Sequence, residues 1–168
     1  MKRPTAILTA IRNFFILAAG LAMFTTAATA TMAAPPVNPF EQLIGNWRGS
    51  GLMTMDDGSR ERIACNADYG GNSIQLRLSI SCKSGERDIR MTARLSSNAG
   101  RLLGFWEEKY FKAAGSIAGV AGDDRLDFTV SGNVNGKMVV AYSRTRQTVS
   151  ITTQAVPLRS LEISLKRR

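Results

Sequence analysis

The amino-acid sequence predicts an all-β fold, a single antiparallel up-and-down β-barrel of about 8–10 short strands. Residues 74–82 alternate strictly between apolar and polar side chains, which is the period of a strand with one buried face. Turn-forming residues recur about every ten residues, and the pairs Asp57-Gly58 and Asn135-Gly136 are hairpin signals. No stretch after residue 45 has the apolar period of about 3.6 residues that a helix requires.

The first thirty residues have the pattern of a secretory signal peptide. Lys2, Arg3 and Arg12 form a basic region without acidic residues, and residues 14–24 form an apolar segment too short to span a bilayer comfortably. Ala28-Thr29-Ala30 fits the A-x-A cleavage rule. We therefore expect cleavage after Ala30 and a periplasmic or secreted protein. An uncleaved membrane anchor is the alternative.

The remaining chain divides into an N-terminal extension and lead-in, residues 31–44, and a barrel domain, residues 45–168. Three of the 22 basic residues lie in the leader and all 13 acidic residues follow it, so the net charge after residue 30 is 22 − 3 − 13 = +6. No second long apolar run follows, and twelve aromatic residues are too few for the girdles of an outer-membrane barrel. The processed protein is therefore not expected to span a membrane.

The same alternation and turn signals place the remaining strands. Ile63, Cys65, Ala67 and Tyr69 share one face of the second strand. Pro157 falls between the last two strands, where a sheet tolerates proline. After a first strand that continues through Met55, we expect strands at residues 60–68, 74–82, 89–95, 102–108, 116–121, 125–131, 137–144, 148–154 and 160–166.

Trp47 stands among glycines at the start of the first strand. A tryptophan needs burial and a partner for its indole N–H, and glycines inside a strand mark bends or close backbone approach. Gly45, Gly49 and Gly51 therefore predict a first strand that bends around one end of a small barrel. A core tryptophan in an ordinary β-sandwich is the alternative.

This Gly-x-Trp start resembles that of the calycins, the lipocalins and their relatives, which open their first strand in this way after a short helical or 3₁₀ lead-in. The resemblance implies a calycin-like barrel in which a basic residue of the last strand, here Arg167, packs across Trp47. Trp47, Arg167, Gly45 and Gly49 are then structural residues. The chain also resembles a group of small exported proteins of alphaproteobacteria, a group that brings no established activity with it. The residues that carry this second resemblance are Gly45–Gly51, Asp57-Gly58-Ser59, Glu61–Cys65, Cys82 and Gly104-x-Trp106-Glu107.

The two cysteines, Cys65 and Cys82, are expected to form a disulfide in an oxidising compartment. The predicted register opposes this bond, because a tight turn at Gly71-Asn72 would pair Cys65 with Leu78. A disulfide needs Cα atoms within about 7 Å. A shifted or bulged register, a bond between strands that are not paired, and two free thiols all remain open.

The composition argues against catalysis and against a metal or cofactor. The sequence has no histidine, which removes a Ser-His-Asp triad, most zinc sites and histidine-ligated haem. Glu107 and Glu108 are neighbours on a strand, so their carboxylates point to opposite faces. The basic residues are dispersed, without the dense run or aromatic interleaving typical of nucleic-acid binding. We therefore predict no enzyme activity, no cofactor, no metal and no nucleic-acid partner.

Two functions fit these expectations. In the first, the barrel binds a small apolar or amphipathic ligand, such as a lipid, inside its wall. The candidate ligand-binding residues are then Trp106, Phe105, Phe128, Tyr142, Met91 and Met138. In the second, the protein is an envelope interaction module, such as a protease or lysozyme inhibitor, that inserts a loop or residues 31–38 into a target. An anionic envelope surface is a further candidate partner, because the chain is basic.

Overall fold

Ten antiparallel strands form a closed barrel in the computed structural model, which describes residues 38–168. Each strand pairs with the next in the chain, and β1 pairs with β10 to close the wall. The predicted all-β barrel is thereby confirmed, at the upper end of the expected strand number. The predicted signal peptide and its predicted cleavage site lie outside the described residues. The strands are β1 Gly45–Met55, β2 Arg60–Gly71, β3 Gln75–Ser84, β4 Arg87–Asn98, β5 Arg101–Glu108, β6 Ala113–Ala121, β7 Arg125–Gly132, β8 Asn135–Tyr142, β9 Arg146–Gln154 and β10 Leu158–Arg167.

Alternation along the strands separates the interior of the barrel from its outer face. In β2, Ile63, Cys65, Ala67 and Tyr69 are buried and the residues between them are exposed, as predicted. In β3 the polar residues at alternate positions face solvent. Ile74 was expected in this strand, but it lies in the preceding turn and is 50% exposed. The apolar half of each period thus forms one continuous core inside the wall.

The barrel has two different ends. We call the end that holds the N-terminus of β1 the closed end, because Phe40 and Leu43 of the lead-in are buried there. This lead-in is a pair of turns, in which the N–H groups of Leu43 and Ile44 both donate to the carbonyl of Phe40. We call the opposite end the open end. Five turns form its rim, at residues 56–59, 85–86, 109–112, 133–134 and 155–157.

The first strand runs in close contact with the last, as its glycines predict. A Cβ atom at Gly49 would lie 1.8 Å from the carbonyl oxygen of Ser164, and one at Gly51 would lie 2.0 Å from that of Glu162. Gly45 also has a φ of 125°, a conformation that L-residues rarely adopt. Side chains at these positions would therefore push β1 away from β10 and open the seam of the barrel.

The pairing of β2 with β3 corrects the predicted register. Cys65 stands directly opposite Cys82, with Cα atoms 4.1 Å apart, and the two residues form a disulfide. The connecting turn is centred on Ser73-Ile74, two residues after the predicted Gly71-Asn72. The N–H of Asn72 donates to the carbonyl of Gln75, and the Asn72 side-chain oxygen accepts the N–H groups of Ile74 and Gln75. Leu78 consequently pairs with Tyr69 and not with Cys65. The cross-strand bond lies buried inside the wall.

No helix in residues 38–168 has the length and apolar character that crossing a membrane would require.

Candidate functional site

The closed end is sealed by one indole and one guanidinium. The Trp47 side chain is 1% exposed, and its N–H donates to the carbonyl of Leu43 at 2.7 Å. The guanidinium carbon of Arg167 lies 4.4 Å from the centroid of the Trp47 ring. The same guanidinium donates to the carbonyls of Ile44 and Gln42 in the lead-in. The first and last strands and the lead-in therefore meet at a single cation–π pair, the arrangement that the calycin resemblance implies.

A buried polar pair lies beside this seal. The amide nitrogen of Gln147 donates to the phenol oxygen of Tyr69 at 2.7 Å, and both side chains are buried. Burial raises the pKa of Tyr69 to about 12, so the phenol is neutral at physiological pH. The amide oxygen of Gln147 is buried without a hydrogen-bond partner. One hydrogen-bond acceptor is therefore free near the closed end of the interior.

The structure places five of the six predicted ligand-binding residues on the inner face. Trp106, Phe128 and Tyr142 are buried, whereas Met91 and Met138 are partly exposed. Tyr142 ends β8 and so lies towards the closed end. Trp106 lies two residues before the end of β5 and so belongs to the half of the barrel nearer the open end.

Phe105 is a correction to the predicted set. Its side chain is 74% exposed and lies on the outer face of β5. Neighbouring strand residues point to opposite faces, so Phe105 and Trp106 cannot both line the interior. The alternation of β5 places Leu102, Trp106 and Glu108 inside.

Methionines and aliphatic residues surround the interior towards the open end. Inward residues of neighbouring strands pair in one continuous row around the wall. This row runs through Glu61, Met53, Leu161, Ile151, Met138 and Phe128. Four of its members are only partly buried: Glu61, Leu161, Ile151 and Met138. The interior is therefore better sealed at the closed end than at the open end.

A cluster of three polar side chains interrupts the apolar wall at the open end, beside the turns that join β1 to β2 and β3 to β4. The carboxylate of Glu61 pairs with the Arg87 guanidinium and accepts the hydroxyl of Ser84 at 2.9 Å. The hydrogen bond from Arg87, and to a smaller extent the one from Ser84, lowers the pKa of Glu61 below its ordinary value. The carboxylate therefore stays ionised at neutral pH. The pair is about one-third exposed on each side and has no net charge. It provides polar groups at the rim without giving the interior a charge.

The indole N–H of Trp106 is buried without a hydrogen-bond partner. It faces Gly115 of β6, where an added Cβ atom would lie 2.9 Å from the indole nitrogen. Buried donors are rarely left unpaired in folded proteins, because an unsatisfied N–H costs about 1–3 kcal/mol. The inner wall thus holds one free donor, at Trp106, and one free acceptor, at Gln147.

Sequence reasoning missed the inward polar residues Glu61, Ser84, Glu108 and Gln147. Gln147 and Glu108 are 2% and 8% exposed. The signal that locates them is the strand period, since Gln147 is in phase with Val149 and Glu108 with Trp106. An inner face is predicted from apolar residues, so a polar residue in the same phase is assigned to solvent.

The outer face carries a second, shallower feature across β2 to β7. It is a groove of about 1080 Å³ in which Phe105 lies between Arg94 and Ser116, its partners in the sheet. Arg77 and Glu107 also line it. Leu103, on the same face of β5, is 62% exposed. An exposed aromatic side chain between cationic and polar groups can contact another macromolecule.

Within residues 38–168, no group of three or more histidine, cysteine or acidic side chains is arranged to hold a metal ion.

Comparisons with known proteins identify the fold and no family. No protein-family model matches the chain, and no curated protein sequence matches it. Among solved structures, it is similar to Rv2717c from M. tuberculosis, with a TM-score of 0.68 and 14% identity over 80% of this chain and 98% of that one. It is also similar to the S-type phycobiliprotein lyase CPES from Guillardia theta, with a TM-score of 0.51 and 14% identity over 77% of this chain and 89% of that one. Both likenesses concern the fold alone.

Proposed function

We propose that the protein binds one small apolar or amphipathic molecule inside its barrel, in the periplasm or outside the cell, without catalysing a reaction. The ligand reaches the interior through the open end. A lipid or another hydrophobic small molecule has the required chemistry. The similar structures support the barrel architecture alone, so the argument for a ligand comes from the wall itself.

The observation that carries this proposal is the buried, unpaired indole N–H of Trp106. It lies in the half of the barrel where the wall is apolar and only partly sealed. A ligand oxygen that accepts this hydrogen would satisfy the donor, and its apolar body would remove the partly exposed methionines from water. Methionine suits such a wall because its flexible thioether adapts to different shapes.

The polar groups of the wall favour a neutral hydrogen-bonding group on the ligand. The Glu61–Arg87 pair has no net charge, and the remaining free groups are the indole N–H and the amide oxygen of Gln147. A carbonyl or hydroxyl oxygen can satisfy the Trp106 donor, and a hydroxyl can also donate to Gln147. An anionic ligand group would have no unpaired cation to meet in this part of the wall, and the inward carboxylate of Glu108 already accepts three backbone N–H groups.

The leader pattern and the buried disulfide support an oxidising, exported location, because disulfides persist in such compartments. The interior offers no histidine base or metal cluster among the described residues, and its inward acids have other partners. Glu61 pairs with Arg87, and Glu108 accepts backbone N–H groups. These assignments support binding without catalysis.

Ligand binding is tested by native mass spectrometry of protein purified from its own host and by titration with a fluorescent hydrophobic probe. We expect an extra mass that is released on unfolding, and a change in the emission of Trp106. The sequence has two tryptophans, so Trp106→Phe isolates the signal of Trp47. This variant keeps the apolar ring and loses the N–H, and should bind an oxygen-bearing ligand about tenfold more weakly.

Phe105→Ser is the matched control, because it changes the neighbouring aromatic residue on the outer face. It should leave ligand affinity unchanged. If the purified protein carries no cargo and binds no hydrophobic probe, the proposal fails. Equal ligand affinities of Trp106→Phe and the wild type would instead show that the indole N–H of Trp106 does not bind the ligand.

The second candidate function, an envelope interaction module, is supported by the outer groove with its exposed Phe105 and Leu103. If this face binds a protein target, Phe105→Ser should weaken capture of that target and Trp106→Phe should not. The same two variants therefore separate the two functions.

A further inference from the structure

The turn between β5 and β6 presents two aromatic rings at the open end. We call residues 109–112, with the sequence Lys-Tyr-Phe-Lys, the aromatic turn. Tyr110 is 51% exposed and Phe111 is 60% exposed. Their rings contact each other edge to face, with centroids 4.8 Å apart. They therefore form one projecting apolar unit beside the opening of the barrel.

Glu108 fixes the shape of the aromatic turn. One of its carboxylate oxygens accepts the N–H groups of Arg90, at 3.0 Å, and Tyr110, at 2.9 Å. The other accepts the N–H of Phe111 at 2.6 Å. Glu108 is 8% exposed, so a buried carboxylate holds the backbone from which both rings project. Charge-assisted hydrogen bonds of this kind are stronger than neutral ones, and they keep the turn in this conformation.

The rim of the open end is divided into two arcs of different chemistry. Three turns that follow one another around the barrel have apolar residues at their tips, and we call them the apolar arc. They are the aromatic turn, residues 133–134 with Val134, and residues 155–157 with Val156 and Pro157. The other two turns carry Asp56, Asp57 and Glu86.

The charge of the apolar arc is positive. Its three turns contain Lys109 and Lys112 and no acidic residue. The two acidic residues that precede the aromatic turn lie in β5, below the rim: Glu108 is 8% exposed beneath the turn, and Glu107 accepts the hydroxyl of Thr92 at 3.0 Å. Aromatic rings flanked by lysines are the combination that partitions into the interface of an anionic membrane. The acidic turns lie on the opposite arc and would face away from such a surface.

We propose that the apolar arc docks the open end onto a bilayer that contains anionic phospholipid. Tyr110 and Phe111 insert at the boundary between head groups and acyl chains, and Lys109 and Lys112 contact the phosphates. The acidic arc tilts away from the surface, because like charges repel. This docking does not depend on the interior ligand, so it stands or fails separately from the proposed function.

The test is sedimentation with vesicles of phosphatidylcholine alone and of equimolar phosphatidylcholine and phosphatidylglycerol. The protein used begins at Thr31, because the leader has its own membrane affinity and residues 38–168 close the barrel by themselves. We expect the protein to sediment with the mixed vesicles and to bind less as salt increases. Tyr110→Ser with Phe111→Ser should weaken this partition at least about tenfold. Lys109→Glu with Lys112→Glu should weaken it by a similar factor on mixed vesicles alone.

Phe105→Ser is again the control, since it removes an exposed ring from the outer face and not from the rim. It should partition like the wild type. Fluorescence of a Phe111→Trp variant should shift to the blue on mixed vesicles, because the ring leaves water. The proposal is overturned if the wild type does not sediment with mixed vesicles. It is also overturned if Tyr110→Ser with Phe111→Ser binds them as well as the wild type does, or if Phe105→Ser abolishes binding. It is also overturned if the aromatic turn crosslinks to an envelope protein in place of lipid.

Discussion

Arg167 shows how one side chain determines the geometry of the closed end. Its planar guanidinium lies over the Trp47 ring and also donates to carbonyls of Gln42 and Ile44 in the lead-in and of Arg144 before β9. A lysine could supply the charge but not this flat array of donors. The next residue, Arg168, is exposed and has no such side-chain contacts among the described residues. The closed end therefore depends on a guanidinium at position 167 of the last strand, and a positive charge elsewhere in that strand would not replace it.

Tyr69 gives the barrel a defined response to alkaline pH. Burial raises the pKa of its phenol to about 12 from an ordinary value of 10.0. A raised folded-state pKa means that its contribution is fully present below pH 10.0 and is lost as the pH rises through about 12. We expect the free energy of unfolding to fall by about 2–3 kcal/mol across this window from Tyr69 alone.

Denaturant unfolding of the wild type and Tyr69→Phe at several alkaline pH values measures this contribution. At neutral pH the free energy of unfolding of the variant should be about 1 kcal/mol lower, because the hydrogen bond from Gln147 is lost. Its free energy of unfolding should also fall less steeply at alkaline pH. Tyr110→Phe, at an exposed tyrosine, is the control and should decline like the wild type. Identical slopes for Tyr69→Phe and the wild type would contradict the assignment.

At the scale of a strand, the glycines of β1 differ from a glycine such as Gly70 in β2 in the space that a side chain would have. A Cβ atom at Gly49 would collide with the backbone of β10, whereas Gly70 in β2 has no heavy atom within 4 Å of such a Cβ. Gly49→Ala should therefore lower the free energy of unfolding by at least about 2 kcal/mol, because β1 must move away from β10. Gly70→Ala should change it by no more than about 0.5 kcal/mol.

Chemical denaturation of the two alanine variants checks this contrast. Amide hydrogen exchange should also show lower protection across the β1–β10 seam in Gly49→Ala alone. Equal stability of the two variants would mean that the seam relaxes without cost.

The strand scale also explains what sequence reasoning achieved. The period of two identified the strands of the barrel and the inner face of β2, because a one-sided core demands alternation. The same rule places Phe105 outside once β5 is phased on Leu102 and Trp106. It could not give the β2–β3 register, because that depends on how Asn72 shapes the connection.

At the scale of the whole molecule, the two ends of the barrel differ in packing. The lead-in, Trp47 and Arg167 seal one end, and the partly exposed apolar residues and the aromatic turn lie at the other. If both proposals hold, a ligand would pass between the interior and the bilayer through the same rim. Loss of membrane docking with retained ligand binding, or the reverse, would show that the two activities are independent.

The Cys65–Cys82 disulfide acts on the whole chain through its unfolded state. It links residues separated by 17 positions, and closing a loop of this size stabilises the folded state by about 3 kcal/mol. Reduction should therefore lower the urea midpoint of the wild type, and should leave that of Cys65→Ala with Cys82→Ala unchanged. The reduced wild type should then resemble the double variant. An unchanged midpoint in fully reduced wild type, verified by mass, would show that local strand pairing alone holds the hairpin.

The sequence alone determined the fold class, the approximate strands, the close backbone approach at the first strand's glycines and the pairing of Arg167 with Trp47 that the calycin resemblance implied. These features follow from short-range patterns, because alternation, turn residues and glycines act within a few positions of the chain. Only the tertiary structure decided that the two cysteines face each other and that Trp106 and Gln147 keep free polar atoms inside. It also decided that three apolar turns adjoin around one rim. Those properties depend on register and on barrel closure, which bring together residues far apart in the chain.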